Sequence, residues 1–178
     1  MASVPNSTGT TSVDKTGSGV WMLTGASSFT GQVRVLDGTL VVGGTVPASG
    51  NSPLGAQASN TLLPLIGGTS AGLSDTAGVL LADGVSVFRG LTVAPAGSVG
   101  SQRIVLGGLG SGTSTFTAAA NIQLDTGRAV TLQAGTGGTV TFANSWTVHN
   151  QANNAVQAPS LTFGSAGNAG TVVINNTI

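Results

Sequence analysis

Read for apolar and polar positions, the chain is a succession of short runs in which apolar and small polar residues take turns, broken every few residues by Gly, Asn, Asp or Ser. Successive side chains of a strand point to opposite faces, so this alternation predicts strands with one face on a core and the other in solvent. The clearest runs are Gly19–Thr24, Gln32–Leu36, Thr39–Val42, Gly78–Leu81, Val85–Phe88, Arg103–Leu106, Ser114–Thr117, Asn121–Leu124, Ala129–Gln133, Thr139–Phe142, Trp146–Val148, Ser160–Phe163 and Thr171–Ile174. No stretch carries the spacing of a helix with one buried face.

Alternation alone would serve a β-sandwich equally well. Recurrence separates the two architectures. A strand, a corner of Asp-Gly or Thr-Gly type and a second strand return at Leu36-Asp37-Gly38-Thr39-Leu40, at Leu81-Ala82-Asp83-Gly84-Val85 and at Leu124-Asp125-Thr126-Gly127-Arg128-Ala129. Self-similarity every few tens of residues predicts stacked repeats, hence an all-β, single-domain parallel β-solenoid. At about 20 to 25 residues per coil it would make roughly seven to nine coils. Residues 1–14 read as an N-terminal arm or first strand and 15–178 as the solenoid. The stretch 47–77, with Pro47, Pro53 and Pro64, reads as an irregular loop or insertion.

Composition sharpens this picture. Of the 178 residues 40 % are hydrophobic, but only 4 % are aromatic and none is Tyr, so Val, Leu, Ile and Ala must fill a thin, regular core. Charged residues make up 6 %, five basic against five acidic, where soluble domains carry roughly 25 %. Helical surfaces need Glu, Lys and Arg for solvation, whereas Thr, Ser and Asn suffice on a sheet. A neutral chain offers no basic footprint for nucleic acid or anionic lipid, and little repulsion against self-association. No apolar run approaches the ~20 residues of a membrane helix, so membrane insertion is not expected. The absence of Cys removes disulfides and thiolate sites.

The stretch Lys15-Thr16-Gly17-Ser18-Gly19-Val20-Trp21-Met22-Leu23-Thr24-Gly25-Ala26-Ser27-Ser28-Phe29-Thr30-Gly31, followed by Gly38-Thr39-Leu40-Val41-Val42, resembles the autotransporter-associated β-strand repeat found in passengers of type V secreted proteins. Asn51-Ser52-Pro53-Leu54-Gly55 resembles the linker that often follows that repeat. Ser27 departs from the pattern, which usually has Asn there. The resemblance implies a right-handed parallel β-helix of an extracellular or cell-surface bacterial protein, any export signal being missing from this chain. It further implies that Gly25, Gly31 and Gly38 sit at corners needing positive φ, and that Trp21, Leu23, Phe29, Leu40 and Val42 form the structural core.

Candidate chemistry is sparse, and the expectation is a protein that is not an enzyme, with no catalytic residue, no cofactor and no metal. The lone histidine, His149, reads as a surface residue, since no nucleophile elbow accompanies it. Asp37, Asp83 and Asp125 are explained by turns, although stacked corners could bring Asp37 and Asp83 together. Gly107-Gly108-Leu109-Gly110-Ser111-Gly112 lacks the Asp of a calcium-binding repeat and the Lys of a phosphate loop. Threonine rows, Thr113/Thr115/Thr117 and Thr139/Thr141, could form a flat glycan-binding face but are also ordinary outward strand residues.

A solenoid exposes unpaired strands at both ends. The chain closes on Thr171, Val172, Val173, Ile174 and Ile178, an uncharged, Pro-free run able to recruit a strand, and Val4 and Val13 are its candidate counterparts at the start. The expected partner is a second copy, met head to tail as a homopolymer forming filaments or a surface layer. The alternative is a monomeric adhesin or passenger fragment whose lateral face contacts a glycan or another surface.

Overall fold

The computed structural model describes residues 3–5, 9–56, 65–66, 76–93, 103–118, 120–124, 129–150 and 160–175. These residues are all β and turn, with no helix among them, and all the pairings between their strands are parallel. Parallel strands cannot be joined by tight hairpins, so the chain must travel around the core before it returns beside itself. It does so across three sheets, the first two six strands deep and the third four.

The first sheet stacks β1 (Val13–Lys15), β3 (Val33–Val35), β5 (Leu65–Ile66), β8 (Leu91–Val93), β11 (Ala120–Leu124) and β14 (Trp146–Asn150), in that order. The second stacks β2 (Val20–Leu23), β4 (Gly38–Val42), β6 (Thr76–Leu81), β9 (Arg103–Gly108), β12 (Ala129–Gln133) and β15 (Ser160–Phe163). The third stacks β7 (Ser86–Val87), β10 (Thr113–Phe116), β13 (Thr139–Phe142) and β16 (Thr171–Ile174). Chain order alternates between the first two sheets over β1 to β4 and visits all three in rotation from β5 onward, each visit landing on the strand of that sheet laid down one turn earlier. This is a solenoid-like arrangement. β1 straddles the expected boundary at residue 15, and β5 lies inside the stretch 47–77.

Among the described residues the deepest ladders hold six strands, beside an expectation of seven to nine coils. The length of a turn varies: Val13 pairs with Val33, about 20 residues on, but Thr76 pairs with Arg103 and Thr139 with Thr171, about 27 and 32 residues on. Only the first turn has the short repeat from which the count was reckoned.

Register places like residues in columns. Trp21, Leu40, Val79, Leu106, Leu132 and Phe163 are successive partners across the second sheet, and Val87, Phe116, Phe142 and Ile174 across the third. Their inner members, with Phe29, Val33, Val35, Val42, Val93 and Ile104, make one continuous hydrophobic core. The rings of Phe116 and Phe142 stack with centroids 5.0 Å apart, as in-register parallel strands oblige two aromatic partners to do.

Of the residues expected inside, Phe29, Leu40 and Val42 are buried, and Leu23 is partly buried against the core. Trp21 is different. It heads its column but remains 49 % exposed, because β2 is an outer strand of its sheet and no described strand lies beyond it. Of the three corner glycines only Gly38 has positive φ, at 69°. Gly31 is needed for space instead: a Cβ there would stand 2.2 Å from the Thr11 carbonyl oxygen.

Candidate functional site

The structure gathers its unusual features at the two ends of the stack. At the first end, β1 finishes in Lys15, whose side chain turns inward and is 1 % exposed. A lone ammonium inside a protein is costly unless its donors are used. Here Nζ donates to the carbonyl oxygens of Thr16 at 2.9 Å, Asp37 at 3.0 Å and Gly17, which accounts for all three hydrogens. It also lies 5.7 Å from the ring centre of Trp21, within cation–π range. The Lys-Thr-Gly-Ser-Gly corner is thus wound around its own lysine. Gly38 completes the fit, since a Cβ there would meet the Gly17 and Gly19 carbonyls and Nζ itself.

Beyond Lys15 the chain enters β2, where Val20 is 67 % exposed and Met22 is exposed beside Trp21. Val4, an expected interface residue, sits over the third side of this first turn: its N–H donates to Ser27 Oγ at 3.1 Å and its carbonyl accepts from the Ser28 N–H at 3.1 Å. Ser27 in turn is linked to Ser52 by backbone hydrogen bonds, so Val4 covers that side. Val13 lies in β1, half-buried against the core. On the outer face Arg34 forms an ion pair with Asp14 of β1, with Nε to Oδ1 at 2.7 Å, and this carboxylate holds the Arg34 guanidinium pKa above its ordinary value.

At the opposite end stand β14, β15 and β16. Thr171–Ile174 form β16, an outer strand whose Val172 and Ile174 are half-buried against the core; Ile178 lies outside the described residues. Phe163 of β15 ends the column that Trp21 begins and is 52 % exposed. After it comes a turn in which Asn168 donates from Nδ2 to Ser165 Oγ at 2.9 Å and from its backbone to the Ser165 carbonyl. Beside this turn lies an open groove of about 480 Å³ lined by residues that include Arg103, Thr131, Thr162 and Asn168.

The remaining candidates are scattered. Asp37 is buried at the corner between β3 and β4 and its Oδ1 accepts the Gly38 N–H at 2.7 Å, while Asp83 is exposed at the corner between β6 and β7. They occupy different corners, so the facing pair of carboxylates does not form from them. Asp125 lies outside the described residues, as does the side chain of His149. The threonine rows do align, Thr113 with Thr139 and Thr171, and Thr115 with Thr141. Among the described residues no three His, Cys, Asp or Glu side chains converge as metal ligands would.

Sequence reasoning missed two buried cations. They are Lys15, which stands in a polar, glycine-rich corner, and Arg89, which follows the strand run Val85–Phe88. Arg89 is 4 % exposed and donates to the carbonyls of Pro47 at 2.9 Å, Gly50 at 2.7 Å and Gly55 at 3.1 Å. Burial pushes its pKa down. The only signal available was scarcity: with five cations in the chain, each had a claim to a specific purpose.

Residues 13–42 match the family model for the passenger-associated-transport-repeat. That interval runs from the first residue of β1 to the last of β4 and so includes Lys15, Trp21 and Gly38. No curated protein and no solved structure matches the chain.

Proposed function

We propose, from the transport-associated repeat in residues 13–42, that this chain is a non-enzymatic structural element of a bacterial surface or secreted protein, and that it stacks head to tail through its ends into filaments or a surface layer. The three sheets visited in rotation support a single solenoid of six coils, and parallel crossover connections are right-handed in the great majority of proteins.

One observation carries the assembly reading. The inward column of the second sheet has its largest apolar side chains at its two extremities, Trp21 and Phe163, each about half exposed. A column closed at its ends would carry polar or charged residues there. Because the two ends differ, the contact is heterologous and propagates rather than closing on itself.

Negative-stain electron microscopy across a concentration series tests this reading. Unbranched particles that lengthen with concentration are expected, and short rods of constant length would overturn it. The second reading, a monomeric adhesin, is favoured by the lateral groove, where the Arg103 guanidinium and the Thr162 and Asn168 side-chain groups border one open space suited to an acidic glycan. Constant-length rods that bind an immobilised acidic polysaccharide would establish it instead.

A further inference from the structure

We infer that the junction between two copies is made by β15 of one copy and β2 of the next, paired in parallel in the register that sets Phe163 beside Trp21, Thr162 beside Val20 and Gly164 beside Met22. The inference rests on the end-to-end reading above and names the strands and residues through which it works.

Direction comes first. Every pairing between the described strands is parallel, and the second sheet runs unbroken from β2 to β15. A second copy added along the stack without reversal therefore presents its β2 to β15 with the polarity that β15 itself has towards β12. The unpaired N–H and C=O groups of one outer strand face the complementary groups of the other.

Side chains then select the register. Within the chain the column runs Trp21, Leu40, Val79, Leu106, Leu132, Phe163, so continuing it places the next copy's Trp21 on Phe163. Each ring covers the exposed half of the other. A slip of one residue would set the inward-facing Trp21 beside the outward-facing Thr162 or beside Gly164 and break the continuity of the core. The outer face agrees. Met22, whose partner on β4 is Val41, reaches along its own sheet to Gly43, where a Cβ would stand 2.7 Å from its Cε, and in the proposed register its partner on the other side is Gly164, whose Cβ position is open. Neither strand, Val-Trp-Met-Leu or Ser-Leu-Thr-Phe, carries a charge that would resist pairing.

The same geometry moves the junction away from β16. Its sheet is four strands deep and ends at β7, and above β7 the third side of the stack is built from Val46, Ser52, Ser27 and Val4 rather than from further described strands of that sheet. Among the described residues β16 thus has no strand counterpart at the other end, whereas β15 has β2, and β14 has β1 for a second, shorter ladder.

The natural absence of cysteine gives a clean test. In the proposed register the Cα atoms of Val20 and Thr162 lie about 4.8 Å apart across the junction, inside the span a disulfide accepts. Both positions are exposed, so the Val20→Cys and Thr162→Cys variants keep the fold of the single chain, verified by circular dichroism. Mixing the two and oxidising mildly is expected to give covalent dimer at least about tenfold above a mixture of Val20→Cys with Ser160→Cys, two residues out of register. Equal yields, or none, in a preparation that still forms filaments would overturn the register and leave assembly standing. No cross-link together with constant-length rods would remove both.

Discussion

At the scale of single residues, magnitude separates the contacts that hold the first turn from those that decorate it. The Arg34–Asp14 pair is partly exposed on both sides, and such pairs are worth about 0 to 1 kcal/mol. Lys15 is another matter, since removing its ammonium leaves the carbonyls of Thr16, Gly17 and Asp37 without their donor in a closed corner and takes away the cation beneath Trp21. Lys15→Met, which keeps the apolar stem, is expected to cost about 2 to 4 kcal/mol, measured by urea unfolding followed through tryptophan emission. A loss below that of Asp14→Asn would show that water replaces the ammonium without penalty. Lys15 also shows what a motif conceals. Lys-x-Gly-x-Gly was readable as a pattern, but a lysine in a polar, glycine-rich corner gives no local sign that it turns inward; only the closed path of the chain from Thr16 to Asp37 supplies the carbonyls that make burial affordable. The exposure of Trp21 was hidden for the complementary reason: alternation assigns a face, and position in the stack decides whether that face is covered.

At the scale of elements, each run in which apolar and small polar residues alternate over about four residues holds a strand. Alternation does not single out β1, β5 and β8, although residues 1–14 read as an arm or a first strand. β1 carries Asp14 and Lys15, β5 is two residues long and β8 three, so none holds enough period-two pattern to stand out, and each is a strand because the first sheet supplies a partner at the right height. The segment 47–56 is the converse case, read as irregular from Pro47 and Pro53, and held by tertiary contact. Arg89, two residues before β8, spends its guanidinium on the Pro47, Gly50 and Gly55 carbonyls, and Ser52 Oγ accepts the Leu54 N–H at 3.1 Å while donating to the Gly55 carbonyl at 2.7 Å. Arg89→Met should therefore loosen this segment locally, since the ladders on either side have their own hydrogen bonds. Hydrogen exchange is expected to quicken on the order of tenfold or more in residues 47–56 and to stay unchanged in β6 and β9. Equal acceleration throughout would make Arg89 part of the global core instead.

At the scale of the whole molecule, the energetics of the proposed junction predict how it responds to conditions. Trp and Phe each bury about 150 to 250 Å² when fully covered, and Trp21 and Phe163 are 49 % and 52 % exposed. Covering what remains removes about 200 Å² of apolar surface from water, or about 5 kcal/mol, to which a few strand hydrogen bonds add about 1 kcal/mol each. Association costs about 4 to 15 kcal/mol in lost freedom, so the balance is close and length should follow protein concentration. The favourable side is mainly hydrophobic, and that drive weakens on cooling. Charge contributes little: the chain is neutral overall, and Lys15 and Asp14, the charges nearest β2, are already engaged within their own copy. Mean filament length by light scattering is therefore expected to fall when the sample is cooled from about 37 °C to about 4 °C, and to be nearly constant between about 0.01 M and 1 M sodium chloride, across which the screening length shrinks roughly tenfold. Filaments that dissolve in salt and ignore temperature would place the contact on charged side chains and away from Trp21 and Phe163.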